Sequence, residues 1–459
     1  MNARDGLLIR DVEIDGRANQ DCLVLDGNIA AVGTDIGLPG VDELAGNRGA
    51  LLPGLADHHL HLFAMAAAAG SFDLSAHDDV TVLSRFNTAG DWVRVIGWDE
   101  HHGDLDRDRL DGLVGDRPIR VQHRSGALWV LNSAGLRAAT ENASDQPPGA
   151  ERDAAGRLTG RLWRADDWLR DVIGTLPDLA DVASALAKVG ITAVTDATPD
   201  HDARSVDHLI RNVESGHLPQ RVQLMCADGP DDLPPRITFG PRKLVVADHE
   251  LPALTELTKQ ISVAHAEGRA VAVHCISREA LALTIAALRD AGSRPGDRIE
   301  HCAIADPSAL AELAALGVTV VTQPSFVVRR GDRYLSTHEP AAHDDLWRYA
   351  SLVDAGVPVV ASSDAPYGDP DPWVTIRAAR DRRTASGALL GAAEQVPPAR
   401  TLAGLLAPLD RPSGPPRKVE VGASADLVLL TVPLAAALAD PHRGLVAATI
   451  AAGRIIYHA

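Results

Sequence analysis

From residue 191 onward the chain alternates short apolar runs with longer helix-like stretches. The runs are Ile191-Thr192-Ala193-Val194-Thr195, Lys243-Leu244-Val245-Val246, Ala270-Val271-Ala272-Val273, Val318-Thr319-Val320-Val321 and Val357-Pro358-Val359-Val360. Their length and β-branched content predict strands. Helix-like segments separate them, such as Ala309 to Leu316 and Leu346 to Ala355, closed by Gly317 and Gly356 at the C-cap position. Strands alternating with helices imply a parallel sheet. The expected class is α/β, and the chain is long enough for a (β/α)8 TIM-type barrel, in which chemistry lies at the C-terminal ends of the strands.

The two ends carry a different pattern. Leu7 to Ile14 stops at Asp15-Gly16, Cys22 to Leu25 stops at Asp26-Gly27-Asn28, and Ile29 to Gly33 follows. Asp-Gly turns between short apolar runs predict hairpins. Ala425 to Leu430, Val446 to Ile450 and Gly453 to Tyr457 look alike, and neither end has enough strands to bury a sheet face alone. The expectation is one small β-domain made from residues 1–52 and 415–459. The barrel then spans 53–414, with Arg411 to Pro416 as the linker back. Residues 70–170 hold five of the seven tryptophans and read as an elaboration after the first barrel strand. That elaboration either partly covers the active site or forms a satellite core.

Composition narrows the function. The chain has 459 residues, enough for a barrel with a satellite domain. Aromatics are 3% of residues, so the core must be built from Ala, Val, Leu and Ile. A formal net charge of −18 repels phosphate backbones and anionic bilayers, so no nucleic acid and no membrane partner is expected; a small-molecule substrate remains, and the plainer reading of the charge is solubility. Cys22, Cys226, Cys275 and Cys302 are scattered without a CxxC pair, which argues against both a disulfide framework and a thiolate metal site. Met1 to Asp5 lacks the apolar stretch of a signal peptide, and no apolar run is of membrane-spanning length, so the cytoplasm is the expected compartment.

Candidate chemistry gathers at the strand ends. In Pro53-Gly54-Leu55-Ala56-Asp57-His58-His59-Leu60-His61, alternation along a strand puts His59 and His61 on one face and His58 on the other. Two imidazoles so spaced can chelate one cation. Val271-Ala272-Val273-His274 ends a β-branched run in histidine, and Arg298-Ile299-Glu300-His301 repeats the arrangement one strand–helix unit later. Asp364 sits just past the apolar run that stops at Ala361, where it can bind a metal and accept a proton from a bound water whose pKa falls to about 7 in favourable sites. Lys243 stands out because the chain has only four lysines against forty arginines. A buried amine can lose its charge where a guanidinium cannot, and a neutral amine can take up CO₂ as a carbamate able to bridge two metals. The plainer reading is a solvated strand-edge lysine. Cys275 and Cys302 follow His274 and His301 directly, and alternation turns them toward the packing helices as apolar filler.

Taken in order, these motifs resemble the metal-dependent amidohydrolase superfamily, in the branch that contains N-substituted formamide deformylase and YtcJ-like proteins. The resemblance rests on Pro53 to His61, Val95-Ile96-Gly97-Trp98-Asp99-Glu100, His123-Arg124-Ser125-Gly126 with Leu131-Asn132-Ser133, and Gly190 to Asp196. It continues through Ala272-Val273-His274, Arg298 to Ala303, Gln323-Pro324-Ser325, Ser362 to Pro366 and Val421 to Val428. It implies a barrel with a terminal β-sandwich and one or two zinc ions, other divalent metals being compatible. His59 and His61 would hold the more buried ion, His274 and His301 the second, and a carboxylated Lys243 would bridge them. Asp364 would bind the first ion and act as general base, then as acid toward the leaving amine. Trp98, His123 and Gln323 become candidates for substrate contact, and a homodimer is a common state of such proteins. One departure is the lysine strand, which runs on into Val246-Ala247-Asp248-His249-Glu250 where the branch reads Phe-Ala-Asp-Gly. The implied activity is hydrolysis of an amide-like, non-peptide carbon–nitrogen bond by a metal-activated hydroxide. The alternatives are a deaminase, a lactone, ester or carbamate hydrolase, or a metal-free paralogue.

Overall fold

Each of the five apolar runs from residue 191 onward contributes to a parallel strand. The computed structural model of the chain describes residues 6–459 apart from 89, 142–148, 174–175, 227–228, 231 and 249, so Met1 to Asp5 and His249 lie outside the described residues. One parallel sheet is ordered Leu55–Leu60, Ile191–Asp196, Arg221–Leu224, Ile237–Phe239. A second is ordered Arg242–Val245, Val271–Cys275, Arg298–His301, Thr319–Thr322, Val359–Ala361. Only Gly240 and Pro241 separate Phe239 from Arg242, and Lys243 N donates to Met225 O at 2.9 Å. At the other edge Leu60 forms a parallel bridge with Ala365, and Asp364 N donates to His59 O at 2.8 Å. The architecture is mixed α/β.

Alternation decides which face each residue serves. Val271, Val273, Cys275, Ile299, Val320 and Val359 point outward into one apolar cluster with Leu257 and Ile261 of helix Leu254–Ala266. Helices Arg278–Ala291 and Pro307–Leu316 add Leu281, Leu288, Leu310 and Leu313. Burying each such aliphatic side chain stabilises the fold by roughly 1.5–3 kcal/mol. Cys275 and Cys302 are among these buried, unpaired residues, and burial pushes the Cys275 thiol up to about 12. The opposite face holds Ala272, packed with Ala197 and Met225, and the polar side chains of the site.

The helices start and stop where the caps place them. Ser277 Oγ accepts from Ala280 N, Asp306 from Ser308 N and Ala309 N, and Gly317 closes its helix in the left-handed region at φ +64. The stretch Leu346 to Ala355 is helical only from Ala350 to Asp354. Leu346 is extended and bridges Ile304, Trp347 N donates to Ala303 O, and Trp347 sits at φ +52, so sheet-like hydrogen bonding outcompetes the helical pattern there.

At the ends, Gly6–Ile14, Arg17–Leu25, Asn28–Gly33 and Asp42–Ala45 form one four-stranded sheet. Leu51–Pro53, Leu427–Leu430, Val446–Ala451 and Arg454–His458 form another. Ile9, Val24 and Ile29 share an apolar cluster with Leu427, Leu429 and Ile450. Phe63–Asp178 is a compact unit of its own, with a six-stranded sheet and its own apolar clusters. No described helix is long and apolar enough to cross a membrane.

Candidate metal centre

Six side chains from strand ends far apart in sequence meet in one place. His59 closes the face of strand Leu55–Leu60, with its Nε2 3.5 Å from Asp364 Oδ1 and 3.3 Å from Lys243 Nζ. His61 Nε2 lies 3.4 Å from the same Asp364 oxygen. The ligand atoms of His59, His61 and Asp364 all lie within 4.8 Å of one another. The His301 ring is 4.8 Å from the His59 ring and 4.5 Å from that of His274, centroid to centroid. Lys243 is 6% exposed, so it is not a solvated edge lysine.

Backbone conformation completes the set. Register pairs His274 with Glu300 and Cys275 with His301, so regular alternation would turn His301 outward beside Cys275. His301 and Cys302 adopt φ +70 and +51, and this left-handed step returns the imidazole to the site while Cys302 packs outward. Asp364 is also left-handed, at φ +52. Non-glycine residues rarely hold this conformation, and it clusters at functional sites.

A second layer of hydrogen bonds fixes each ring. His61 Nδ1 meets Thr198 Oγ1 at 3.0 Å, and Thr198 N donates to Asp196 Oδ1. His301 Nδ1 donates to Gln323 Oε1 at 2.8 Å, while Gln323 Nε2 donates to Ser362 Oγ at 2.9 Å. An amide oxygen only accepts, so the His301 proton sits on Nδ1 and Nε2 keeps its lone pair. His59 Nδ1 bonds the Glu300 carboxylate, which Arg298 also holds. Asp57 Oδ1 accepts from His59 N and Ser363 N, tying together the segments that carry His59 and Asp364.

The electrostatics leave the donors open. Burial, helped by the charge of Lys243, pushes His59 and His274 down to about 4. Burial, then His59, holds His301 well below the ordinary range. These imidazoles are therefore neutral at pH 7, as metal binding requires. Burial lowers Lys243 to about 8 against the attraction of Glu300 and Asp364, bringing the neutral amine within reach. Burial works against ionised Asp364, yet the adjacent imidazoles, His61 first and then His59 and His301, outweigh it and hold the carboxyl below its usual range. Asp364 Oδ1 is buried without a hydrogen-bond partner. An orphaned carboxylate oxygen facing imidazole nitrogens is a donor set that suits a divalent cation.

The depressed histidines imply acid sensitivity in the metal-free chain. A folded-state pKa below the unfolded value adds stability that is complete above about pH 6.5 and lost as the pH falls through 6.5 toward 4. His274 alone contributes on the order of 3 kcal/mol by this linkage. His274→Gln should therefore flatten the loss of stability between these pH values, read as urea midpoint against pH. An unchanged slope would remove the argument.

Three further candidates have other surroundings. Gln323 is fully buried, and its amide serves His301 and Ser362 as above. Trp98 and His123 belong to the Phe63–Asp178 unit. There the Trp98 indole N–H donates to Gly103 O at 3.1 Å, and His123 Nδ1 meets Ser125 Oγ at 2.8 Å. Arg298, Glu300, Asp57 and Thr198 were not anticipated. The signal for the first two was present: an Arg and a Glu two apart in a short strand share one face.

Comparison with known proteins finds likenesses over most of the chain. The sequence profile described as "Amidohydrolase family" matches residues 47–457. An N-substituted formamide deformylase of Arthrobacter pascens is 25% identical over 465 residues, covering 84% of this chain and 85% of that protein. An uncharacterized metal-dependent hydrolase from Pyrococcus horikoshii superposes with a TM-score of 0.74 at 18% identity, covering 93% of this chain and 97% of its own. A zinc-bound adenosine deaminase from Xanthomonas campestris gives 0.54 at 16% identity, over 98% and 92%.

Proposed function

Because the chain belongs to the amidohydrolase family, we propose that it cleaves the amide-like, non-peptide bond of a small N-substituted molecule at the centre formed by His59, His61, Lys243, His274, His301 and Asp364. It is a metal-dependent hydrolase of carbon–nitrogen bonds. The observation that carries the site assignment is the buried, unpartnered Asp364 Oδ1 within 3.5 Å of two imidazole nitrogens.

The proposal takes the two parallel sheets as one closed eight-stranded barrel over 53–414, with 237–245 as a single interrupted strand. The Lys243–Met225 hydrogen bond and the Leu60–Ala365 bridge support closure at the two junctions. It takes 1–52 and 415–459 as one β-sandwich domain, supported by the apolar cluster that draws on both terminal sheets.

His59 and His61 would hold one ion and His274 and His301 a second, with the carbamate of Lys243 between them. Zinc suits four imidazoles and a carboxylate. A divalent ion bound there supplies Lewis acidity and lowers the pKa of a water. Asp364, ionised at neutral pH and next to His61, takes the proton of the attacking water. It then gives that proton to the nitrogen as the C–N bond breaks, so an acid and an amine leave.

Three exposed apolar side chains stand just beyond the ligands. Val245 lies two residues past Lys243 and pairs with His274, Ile276 lies two past His274, and the Tyr367 ring is 5.8 Å from that of His61. They are 56%, 40% and 52% exposed. Such a collar favours a substrate with an apolar substituent. Tyr367→Ala should lower kcat/KM about tenfold for a phenyl-bearing N-substituted amide, the scale of one lost aromatic contact, and less for a methyl-bearing one. Equal losses for both would remove the collar from the reading.

The test of the activity is a panel of formamides, N-acyl amines, lactones, esters and carbamates, run with the metal-loaded protein and with Asp364→Asn. Release of amine and acid by the first and not the second is expected. Ammonia release from an amidine-like substrate would instead make the chain a deaminase, and a purified protein with no bound divalent metal would sink the proposal.

A further inference from the structure

The side chain closest to His59 on its far side is a fully buried carboxylate. Glu300 has no exposed surface, and its Oε2 bonds His59 Nδ1. Arg298, 1% exposed and two residues back on the same strand, donates through Nε to Glu300 Oε1. Its terminal nitrogen donates to Glu300 Oε2 at 3.2 Å and to the carbonyl of His58 at 2.6 Å.

A buried ion pair is poor value as a stabiliser. Its desolvation cost commonly exceeds its Coulombic gain, and apolar replacements of equal volume often do as well or better. The neighbouring inward positions show that apolar side chains fit this face, since Ala272 packs there against Ala197 and Met225. The pair therefore calls for a reason beyond packing, and its hydrogen bonds supply one. A carboxylate only accepts, so the His59 proton is pinned to Nδ1 and the Nε2 lone pair faces Asp364 and Lys243. An anion on the far nitrogen also makes an imidazole a stronger metal donor.

We infer that Glu300, clamped by Arg298, is a positioning residue that fixes the tautomer, orientation and donor strength of His59 toward the metal. Arg298 serves twice, holding the Glu300 carboxylate and the carbonyl of His58, the residue before His59. The inference rests on the reading of His59 as a ligand.

The experiment measures zinc affinity of the full chain by competition with a chromophoric chelator, and the visible spectrum of the cobalt(II)-loaded protein. Glu300→Gln should weaken zinc binding by about 10–100-fold, the usual cost of losing such a partner. It should also shift the cobalt bands, because the donor itself changes. In a His59→Asn background, Glu300→Gln should change zinc affinity no further, since the two act as one unit.

If Glu300→Gln does not fold, the paired Arg298→Met, Glu300→Leu variant removes the ion pair whole, and the same weakening is expected. Unchanged zinc affinity and cobalt spectrum in a folded Glu300 variant would overturn the inference, leaving only a structural pair whose loss lowers the melting temperature of the metal-free chain. Equal weakening by Glu300→Gln with and without His59 would overturn it too. If His59→Asn itself leaves zinc affinity unchanged, the ligand reading fails first, and the inference with it.

Discussion

Asp364→Asn is expected to reduce kcat by about 10²–10⁴-fold while the chain stays folded, the scale of a lost general base. Asparagine is the informative replacement for three reasons. It matches aspartate in shape. It tolerates the left-handed backbone at φ +52 better than alanine does, so the turn that carries it is retained. The backbone bond from residue 364 N to His59 O does not depend on the side chain. What disappears is the negative charge beside His59 and His61 and the ability to accept a proton. Turnover, zinc content and thermal midpoint together check the claim. An Asn variant with kcat within tenfold of the parent and full metal content would remove Asp364 from the proton transfer.

The parts of this site legible in the sequence are those set by simple alternation. Period-two geometry puts His59 and His61 on one face, and His274 and Asp364 stand at or just past the end of an apolar run, a local signal that needs no tertiary information. The outward direction of Cys275 followed from the same rule. His301 did not follow it. It reaches the site through two consecutive left-handed residues, and neither His nor Cys announces that conformation.

Glu300 and Arg298 were in plain view but went unassigned, because charged side chains are so rarely fully buried that an Arg-x-Glu pair reads as surface. Strands Arg221–Leu224 and Ile237–Phe239 were missed for a related reason. They are short, and Arg221 and Gln223 interrupt the apolar pattern. Each polar group is satisfied only in three dimensions, Arg221 by Asp426 at 2.7 Å and Gln223 by Thr195 at 3.3 Å. The alternation of strand and helix survived these gaps because helix caps and glycine stops are local signals, whereas partners for buried charges are not.

Lys243→Ala is expected to lower metal content from about two ions per chain to at most about one, with a loss in activity of about 10²-fold or more, the scale of one preorganised electrostatic group. The argument begins with burial. Lys243 lies in the interior with its nitrogen 3.3 Å from His59 Nε2 and its pKa lowered to about 8. As a cation among these imidazoles it would repel any metal ion brought to them. As a neutral amine it can attack CO₂. The new N–C bond releases one proton to solvent and leaves an anion with two oxygens where the repulsive charge stood. Lys243→Arg should fail as fully as Lys243→Ala, because a guanidinium stays charged.

Two consequences separate the carbamate from a lysine that merely packs. Metal-free protein reloaded in CO₂-free buffer should bind its second ion only when bicarbonate is supplied. The cavity left by Lys243→Ala should also accept a short free carboxylate such as acetate, which would restore part of the metal content; Lys243→Arg, whose side chain fills that space, should not respond. Full metal content in Lys243→Ala, or reloading indifferent to bicarbonate, would leave the four histidines and Asp364 as the whole of the site.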